Sequence, residues 1–274
     1  MTIYDQMLAA YPQGTEHQQH NARIEVAQQI VLAGLARSDF FSKAAFYGGT
    51  CLRIFHGLQR FSEDMDFSLL QTDGQFAWEP YFPYIEQEFH ALGRSVTITK
   101  KDKKSFGKVE SAFHKDNTEV VNLQFQTEKS IRIKIEVDTN PPLGVSTEQL
   151  LLTQPYSFYS RCVALSDLFA GKMHALLFRQ WKNRIKGRDW YDFEWYIRWN
   201  IPLHFEHLQQ RVKQFNGSDL TKEQFMQMLH DKIAQTDIDA VRADVRPFLI
   251  NPSEMDIWSN EYFDLLANRL VFVP

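Results

Sequence analysis

Apolar and polar positions change period along this chain, and the changes mark its elements. Ile24, Ala27, Val31 and Leu35 recur at helical spacing, which predicts a helix over about residues 20–36 within a mostly helical stretch of residues 1–45. From Ser62 the residues alternate: Ser62, Asp64, Asp66 and Ser68 form one set, and Met65, Phe67 and Leu69 the other. Successive side chains leave opposite faces of a strand, so this segment is predicted as a strand with both aspartates on one face. Pro80 and Pro83 punctuate the entry to a helix over residues 84–92, which Gly93 ends. Period two returns between Ser95 and Asp138. Val121, Leu123 and Phe125 alternate with Asn122 and Gln124, and Ile131, Ile133, Ile135 and Val137 alternate with Arg132, Lys134, Glu136 and Asp138. The polar residues 126–130 between them suit an antiparallel hairpin turn. Asn140-Pro141-Pro142 then closes the strand region, because proline cannot continue a ladder.

After Leu143 the chain reads as helical throughout. Ser166-Asp167 is read as the N-cap of a helix over residues 168–179, and another helix spans residues 188–199. Thr221 and Gln224 form a predicted capping box, and further helices are expected over residues 237–249 and 255–270. The expected architecture is therefore α+β, with a sheet-bearing domain over residues 1–145 and a helical domain over residues 146–274. Hydrophobic content of 44% and charged content of 23% fit a soluble globular protein with material for a core. The 22 phenylalanines and 6 tryptophans suggest aromatic packing or a partner surface. No apolar run approaches membrane-spanning length and the N-terminus shows no signal-peptide pattern, so a cytoplasmic location is expected. Cys51 and Cys162 match no zinc spacing and read as small buried hydrophobes. His17-x-x-His20 and His204-x-x-His207 have no further ligand nearby to complete a tetrahedral site.

Chemistry enters with Gly48-Gly49, which precede a short apolar helical segment. Glycines let backbone approach a ligand closely, and a helix start presents N–H groups to phosphate. Asp64 and Asp66 are acceptor-only groups side by side, which calls for a cation between them. Mg²⁺ suits such a pair, since it takes one or two carboxylates plus substrate phosphates. Taken singly, an Asp-x-Asp usually marks a solvated strand face and a Gly-Gly a turn; their joint order carries the information.

A second constellation lies downstream. Lys172, Arg179, Lys182, Arg184, Lys186 and Arg188 run without an intervening acid, and Asp189-Trp190-Tyr191-Asp192-Phe193 follows. Lys172 and Arg179 share a helix face, and such a face would neutralise phosphate charge during transfer. The aromatic residues from Trp190 to Trp199 read as core. Lys100, Lys101, Lys103, Lys104 and Lys108 form another basic surface, read as a solvated hairpin tip or as an RNA-contacting loop. The net charge of −4 argues against a protein that coats nucleic acid generically, but leaves room for such local surfaces.

Gly48-Gly49-Thr50-x-Leu52, followed by Arg60-x-Ser62-Glu63-Asp64-x-Asp66-Phe67, resembles the AbiEii/AbiGii toxin family, which includes the MenT toxins, within the polymerase β-like nucleotidyltransferase superfamily. Lys172-x-x-Ala175-Leu176, Arg179 and Lys186-x-Arg188-Asp189-x-x-Asp192 resemble the later motifs of that family, which contain an essential lysine and an essential aspartate. The resemblance extends over roughly residues 20–200. It implies a polymerase β-like mixed sheet and a third carboxylate on a neighbouring strand, assigned to Glu136 with Asp138 in reserve. Asp64, Asp66 and Glu136 would then hold two Mg²⁺ ions about 3.5–4 Å apart. Gly48, Gly49, Thr50 and Ser62 would contact the triphosphate, with Arg53, Arg60 and Lys172 offsetting its charge. Either arginine could instead pair with Glu63 or a sheet carboxylate. Asp189 would organise or activate transfer, and Asp192 would act directly or as a supporting acid.

The family implies transfer of a nucleoside monophosphate from a nucleoside triphosphate to RNA, with the 3′ end of tRNA as acceptor, release of pyrophosphate and a block on translation. A cognate antitoxin is the implied partner. A protein hydroxyl or a small molecule as acceptor, and a nucleotide-binding module without turnover, are the alternative readings. Residues 200–274 match no named motif; target recognition is one role open to them.

Overall fold

The computed structural model describes residues 1–12, 14–101, 117–127, 130–142, 144–179 and 185–273. The chain divides into two compact units. The first comprises Met1–Gly57, Phe61–Leu143 and Thr147–Cys162; the second comprises Leu58–Arg60, Gly144–Ser146 and Val163–Pro274.

The first unit is built on a mixed sheet. It opens with helices α1 (Ile3–Ala9) and α2 (Glu16–Ala36), each started by a capping box, Thr2 with Asp5 and Thr15 with Gln18. Helix α2 buries Ile24, Ala27, Val31 and Leu35 as expected, but also Val26, Ile30 and Leu32. It is a core helix enclosed on more than one face, so its apolar stripe is wider than one helical edge. Helix α3 (Phe40–Lys43), strand β1 (Ala44–Tyr47), helix α4 (Gly48–His56) and strand β2 (Met65–Leu69) follow. Helix α5 (Phe82–Ala91) ends before Gly93, whose φ of 72° is the left-handed value glycine adopts freely. Strands β3 (Val96–Lys100), β4 (Thr118–Phe125), β5 (Arg132–Asp138), β6 (Thr147–Leu152) and β7 (Phe158–Val163) complete the sheet.

Among the described residues the strand order is β3-β4-β5-β2-β1-β7-β6. Strands β3, β4 and β5 form an antiparallel meander, which includes the predicted hairpin. Strand β2 lies parallel to β5 and antiparallel to β1, and β1 lies parallel to β7. Behind β2, the rings of Phe46 and Phe67 are 4.9 Å apart and Phe40 stacks on Trp78 at 5.4 Å. Met65 and Phe67 are fully buried. This aromatic packing fixes the apolar face of β2 and so fixes which way Asp66 points; Asp64 precedes the strand.

The expectation that the chain stays helical from Leu143 does not hold. Strands β6 and β7 occupy residues 147–163, and the division between units in this region falls at Cys162 and Val163. Strand β6 is the last strand in the order, and none of its residues is fully buried. An edge strand of this kind has no apolar alternation to betray it.

The second unit is helical. Helix α6 (Leu165–Phe178) begins with Ala164 at its N-cap, ahead of the predicted Ser166-Asp167 cap. Asp167 lies in the first turn, accepts the Ser146 N–H at 2.6 Å and meets His204 Nδ1. Helices α7 (Gly187–Arg198), α8 (Phe205–Asn216), α9 (Lys222–Gln235), α10 (Ile238–Val245) and α11 (Asn260–Ala267) follow. The Thr221–Gln224 capping box starts α9 as expected. Helix α10 is shorter than predicted, because the chain tightens into a 3₁₀ turn at Arg246–Phe248, where Pro247 has no N–H for an α-helical bond. The predicted helix over residues 255–270 resolves into the 3₁₀ turn Pro252–Met255 and α11. Tyr196 stacks on Phe169 at 4.2 Å, and Trp190 and Trp258 pack edge-on against Phe263 at 5.1 and 5.2 Å. The aromatic residues of α7 are therefore core, apart from the flanking Trp199, which is 66% exposed.

Both cysteines are free and buried. No helix among the described residues is long and apolar enough to cross a membrane. Lys103, Lys104, Lys108, Lys182 and Arg184 lie outside the described residues.

Candidate active site

Within the first unit the glycine turn and the aspartate strand are held together by register. Strand β1 runs directly into α4, and Tyr47 at the end of β1 sits opposite Asp66 of β2. Gly48 follows with a φ of 81°, and a Cβ at that position would lie 2.5 Å from Asp66 Oδ2. Only glycine meets both conditions, the left-handed backbone and the close approach of a carboxylate. Tyr47, the N-cap of α4, makes no side-chain capping hydrogen bond. The first-turn N–H groups of α4, next to Asp66, thus take no capping bond from the Tyr47 side chain.

Thr50 and Gln28 shape the approach to β2. The Thr50 hydroxyl donates to the Asp64 carbonyl, and the Gln28 amide donates to the carbonyls of Ser62 and Glu63 at 2.9 and 3.0 Å. Thr50 is fully buried. Its hydroxyl positions the Asp64 backbone. Gln28 was not legible as part of the site, since it lies in the middle of α2 far upstream.

On the other side of β2, the parallel register puts Asp66 opposite Glu136 and Ser68 opposite Asp138. Register favours Glu136 over Asp138 as the acid beside the aspartate pair. Asp138 instead accepts the Asn140 N–H at 3.0 Å, at the turn that leaves the strand. Glu136 carries an unforeseen partner: Lys134 Nζ is 2.7 Å from its Oε1. Burial works against the Lys134 charge, but Glu136, Asp64 and Asp66 outweigh it and hold its pKa above the ordinary lysine value.

Arg53 is drawn away from a phosphate role. Its Nε pairs at 2.8 Å with Glu25, a buried acid of α2 that also accepts from the Tyr11 hydroxyl at 3.0 Å. Lys100 pairs with Glu119 and Glu79 at 3.1 and 3.5 Å, which ties it to the sheet surface.

The second unit holds its own constellation. Lys172 of α6 places Nζ 2.6 Å from Asp192 Oδ2 and 3.6 Å from Asp189 Oδ1, both on α7. Asp189 and Asp192 therefore share the face that meets α6, as their helical spacing predicts. Arg60, only 1% exposed, donates Nε and Nη2 to the two oxygens of Asp192 at 2.6 Å each. This bidentate fork corrects the expected assignment of Arg60 to the triphosphate. Burial would raise the Asp192 pKa, but Arg60 and Lys172 hold it down at about 2. Lys186, at the N-cap of α7, is pushed down to about 8 by burial, and Arg179, Arg188 and Lys172 add to the effect against the opposing pull of Asp189. The close entry of α7 depends on Gly187, since a Cβ there would collide with the Val241 carbonyl of α10.

Does this donor set suit a divalent cation? Among the described residues, no three His, Cys, Asp or Glu side chains converge as a ready-made metal site. Asp64 and Asp66 are partly exposed, and Asp66 lies beside the start of α4. Two carboxylates completed by substrate phosphates form a normal Mg²⁺ set, so the pair fits.

A mixed sheet carrying a glycine turn, a neighbouring aspartate pair and a helical unit defines a nucleotidyltransferase-like protein. The sequence matches the family described as "Nucleotidyl transferase AbiEii toxin, Type IV TA system" over residues 30–266. The chain belongs to this family of nucleotidyltransferase toxins of type IV toxin–antitoxin systems. Its fold is similar to that of MenT4, a nucleotidyltransferase toxin from Mycobacterium tuberculosis H37Rv, with a TM-score of 0.61 and 14% identity over 97% of this chain and 87% of that one. JHP933 from Helicobacter pylori is also similar, with a TM-score of 0.52 and 16% identity over 90% of this chain and 88% of that one. At these identities the likeness concerns the fold. No curated protein matches the chain by sequence.

Proposed function

We propose that this toxin transfers a nucleoside monophosphate from a nucleoside triphosphate to an RNA acceptor, the 3′ end of tRNA, with release of pyrophosphate and arrest of translation. The observation that carries this reading is the close approach of Gly48 to Asp66 at the start of α4. One short segment thereby offers N–H donors for phosphate beside carboxylates for a cation. Asp64 and Asp66 would hold Mg²⁺, which supplies charge neutralisation at the reacting phosphate. Gly48 and Gly49 let the backbone approach the triphosphate, and Thr50 and Gln28 keep the Asp64 segment in place. The acceptor hydroxyl attacks the α-phosphorus and gives up its proton to water, the bond to the β-phosphate oxygen breaks, and pyrophosphate carries away the electron pair.

Lys172 is assigned to nucleotide phosphate and Asp189 to activation of transfer; their shared ion-pair network supports joint action. A cognate antitoxin would restrain the activity, and the cytoplasm is the compartment where nucleotide and tRNA are both present. The test is incubation with Mg²⁺, total RNA and each nucleoside triphosphate labelled at the α-phosphate. A labelled band of tRNA size supports the reading. Label on protein or on a small molecule, with pyrophosphate released, would replace the acceptor; nucleotide binding without pyrophosphate would leave a binding module.

A further inference from the structure

The aspartate pair and Glu136 form a concentration of negative charge on adjacent strands, and the sequence-based reading fills it with two metal ions. The structure puts a protein cation there. Lys134 and Glu136 are i, i+2 on β5, so both side chains leave the face that carries Asp66 in the register of β2. The ammonium pairs with Glu136 at 2.7 Å and is attracted by Asp64 and Asp66 as well. Its side chain is 25% exposed and that of Glu136 12%. A half-buried ion pair of this kind is held more firmly than a surface one. Glu136 thus already has a cation against it, and Asp66 lies close against Gly48.

We propose that Lys134 is the second cation of this site, so that Asp64 and Asp66 bind one divalent ion and Glu136 positions Lys134 instead of ligating metal. The inference rests on the nucleotidyltransferase reading above and sharpens it. An ammonium cannot leave with pyrophosphate, so one positive charge stays fixed through the reaction. It also repels divalent ions, which sets the affinity for metal in the absence of nucleotide.

The test is direct binding of Mn²⁺ to the full chain, read by calorimetry and by the paramagnetic resonance signal of free Mn²⁺, with and without a non-hydrolysable triphosphate. Wild type should bind one Mn²⁺ per chain. Lys134→Gln should bind a second ion, or bind the first about tenfold more tightly or better, because one positive charge has left the cluster. Lys134→Arg should behave as wild type. Glu136→Gln should still bind one ion. Two Mn²⁺ in wild type, or loss of an ion in Glu136→Gln, would overturn the role of Lys134 while leaving a metal site intact. Binding unaffected by Asp66→Asn would overturn the metal reading itself, and the inference with it.

Discussion

Replacing Arg60 with methionine removes one side of a buried charge pair and leaves the other in place. Arg60 is 1% exposed and Asp192 fully buried, and two bonds of 2.6 Å join them. Losing one partner of such a pair costs about 3–5 kcal/mol, because the remaining charge stays desolvated. Lys172 still reaches Asp192 at 2.6 Å, which places the expected loss near the lower end, about 3 kcal/mol. Urea unfolding at neutral pH, followed by tryptophan fluorescence, is the suitable assay. Trp190, Trp195 and Trp258 are buried in the second unit and report its unfolding. Acid pH supplies an internal check. Asp192 has a folded pKa of about 2 against an ordinary value of 3.8, so its contribution is present above pH 3.8 and is lost as pH falls towards 2. The size of that contribution is roughly 2–3 kcal/mol. Arg60→Met should shrink this acid-dependent loss as well as the neutral-pH stability. A change below about 1 kcal/mol, with the acid limb unaltered, would refute the claim that Arg60 anchors Asp192.

Other changes probe the rest of the molecule. Gly48→Ala should cost about 1–3 kcal/mol through the left-handed backbone and the approach to Asp66, and should depress transfer further than Thr50→Ser; equal effects in thermal melts and turnover would count against the tight turn. Lys172→Ala should reduce nucleotide use at least tenfold while the Phe169–Tyr196 stack keeps the helix pair assembled, and unchanged kinetics would make this lysine purely structural. Because the Lys186 pKa falls to about 8, the unfolded chain binds more protons between pH 8 and the ordinary value of 10.5, so stability of the second unit should rise with pH across that window. Lys186→Met should abolish the rise, as read from melting temperature against pH.

The sequence makes the local chemistry of this protein readable and hides most of the pairings. The alternation expected from Ser62 is realised only over Met65–Leu69, which sets the face of Asp66 while Asp64 precedes the strand, and the hairpin ending in β5 places Glu136 and Lys134 on another strand with known facing. That β2 and β5 are neighbours, in a register opposing Asp66 to Glu136, follows from tertiary packing that no local pattern encodes. The partner of Arg60 is 132 positions away, so the Arg60 fork looks like a phosphate ligand until the fold is seen. Ser166-Asp167 imitates an N-cap because a short polar pair precedes an apolar run, whereas Asp167 is used for Ser146 and His204. Strand β6 was missed for the opposite reason, as an edge strand with little buried surface to pattern it.

The measurement that bears most directly on the central claim is pyrophosphate release by the full chain with nucleoside triphosphate, Mg²⁺ and total RNA, compared with Asp66→Asn. Wild type should release pyrophosphate and the variant at least a hundredfold less, because the aspartate holds the cation. Equal rates in wild type and Asp66→Asn would contradict the assignment of nucleotidyl transfer to this aspartate pair.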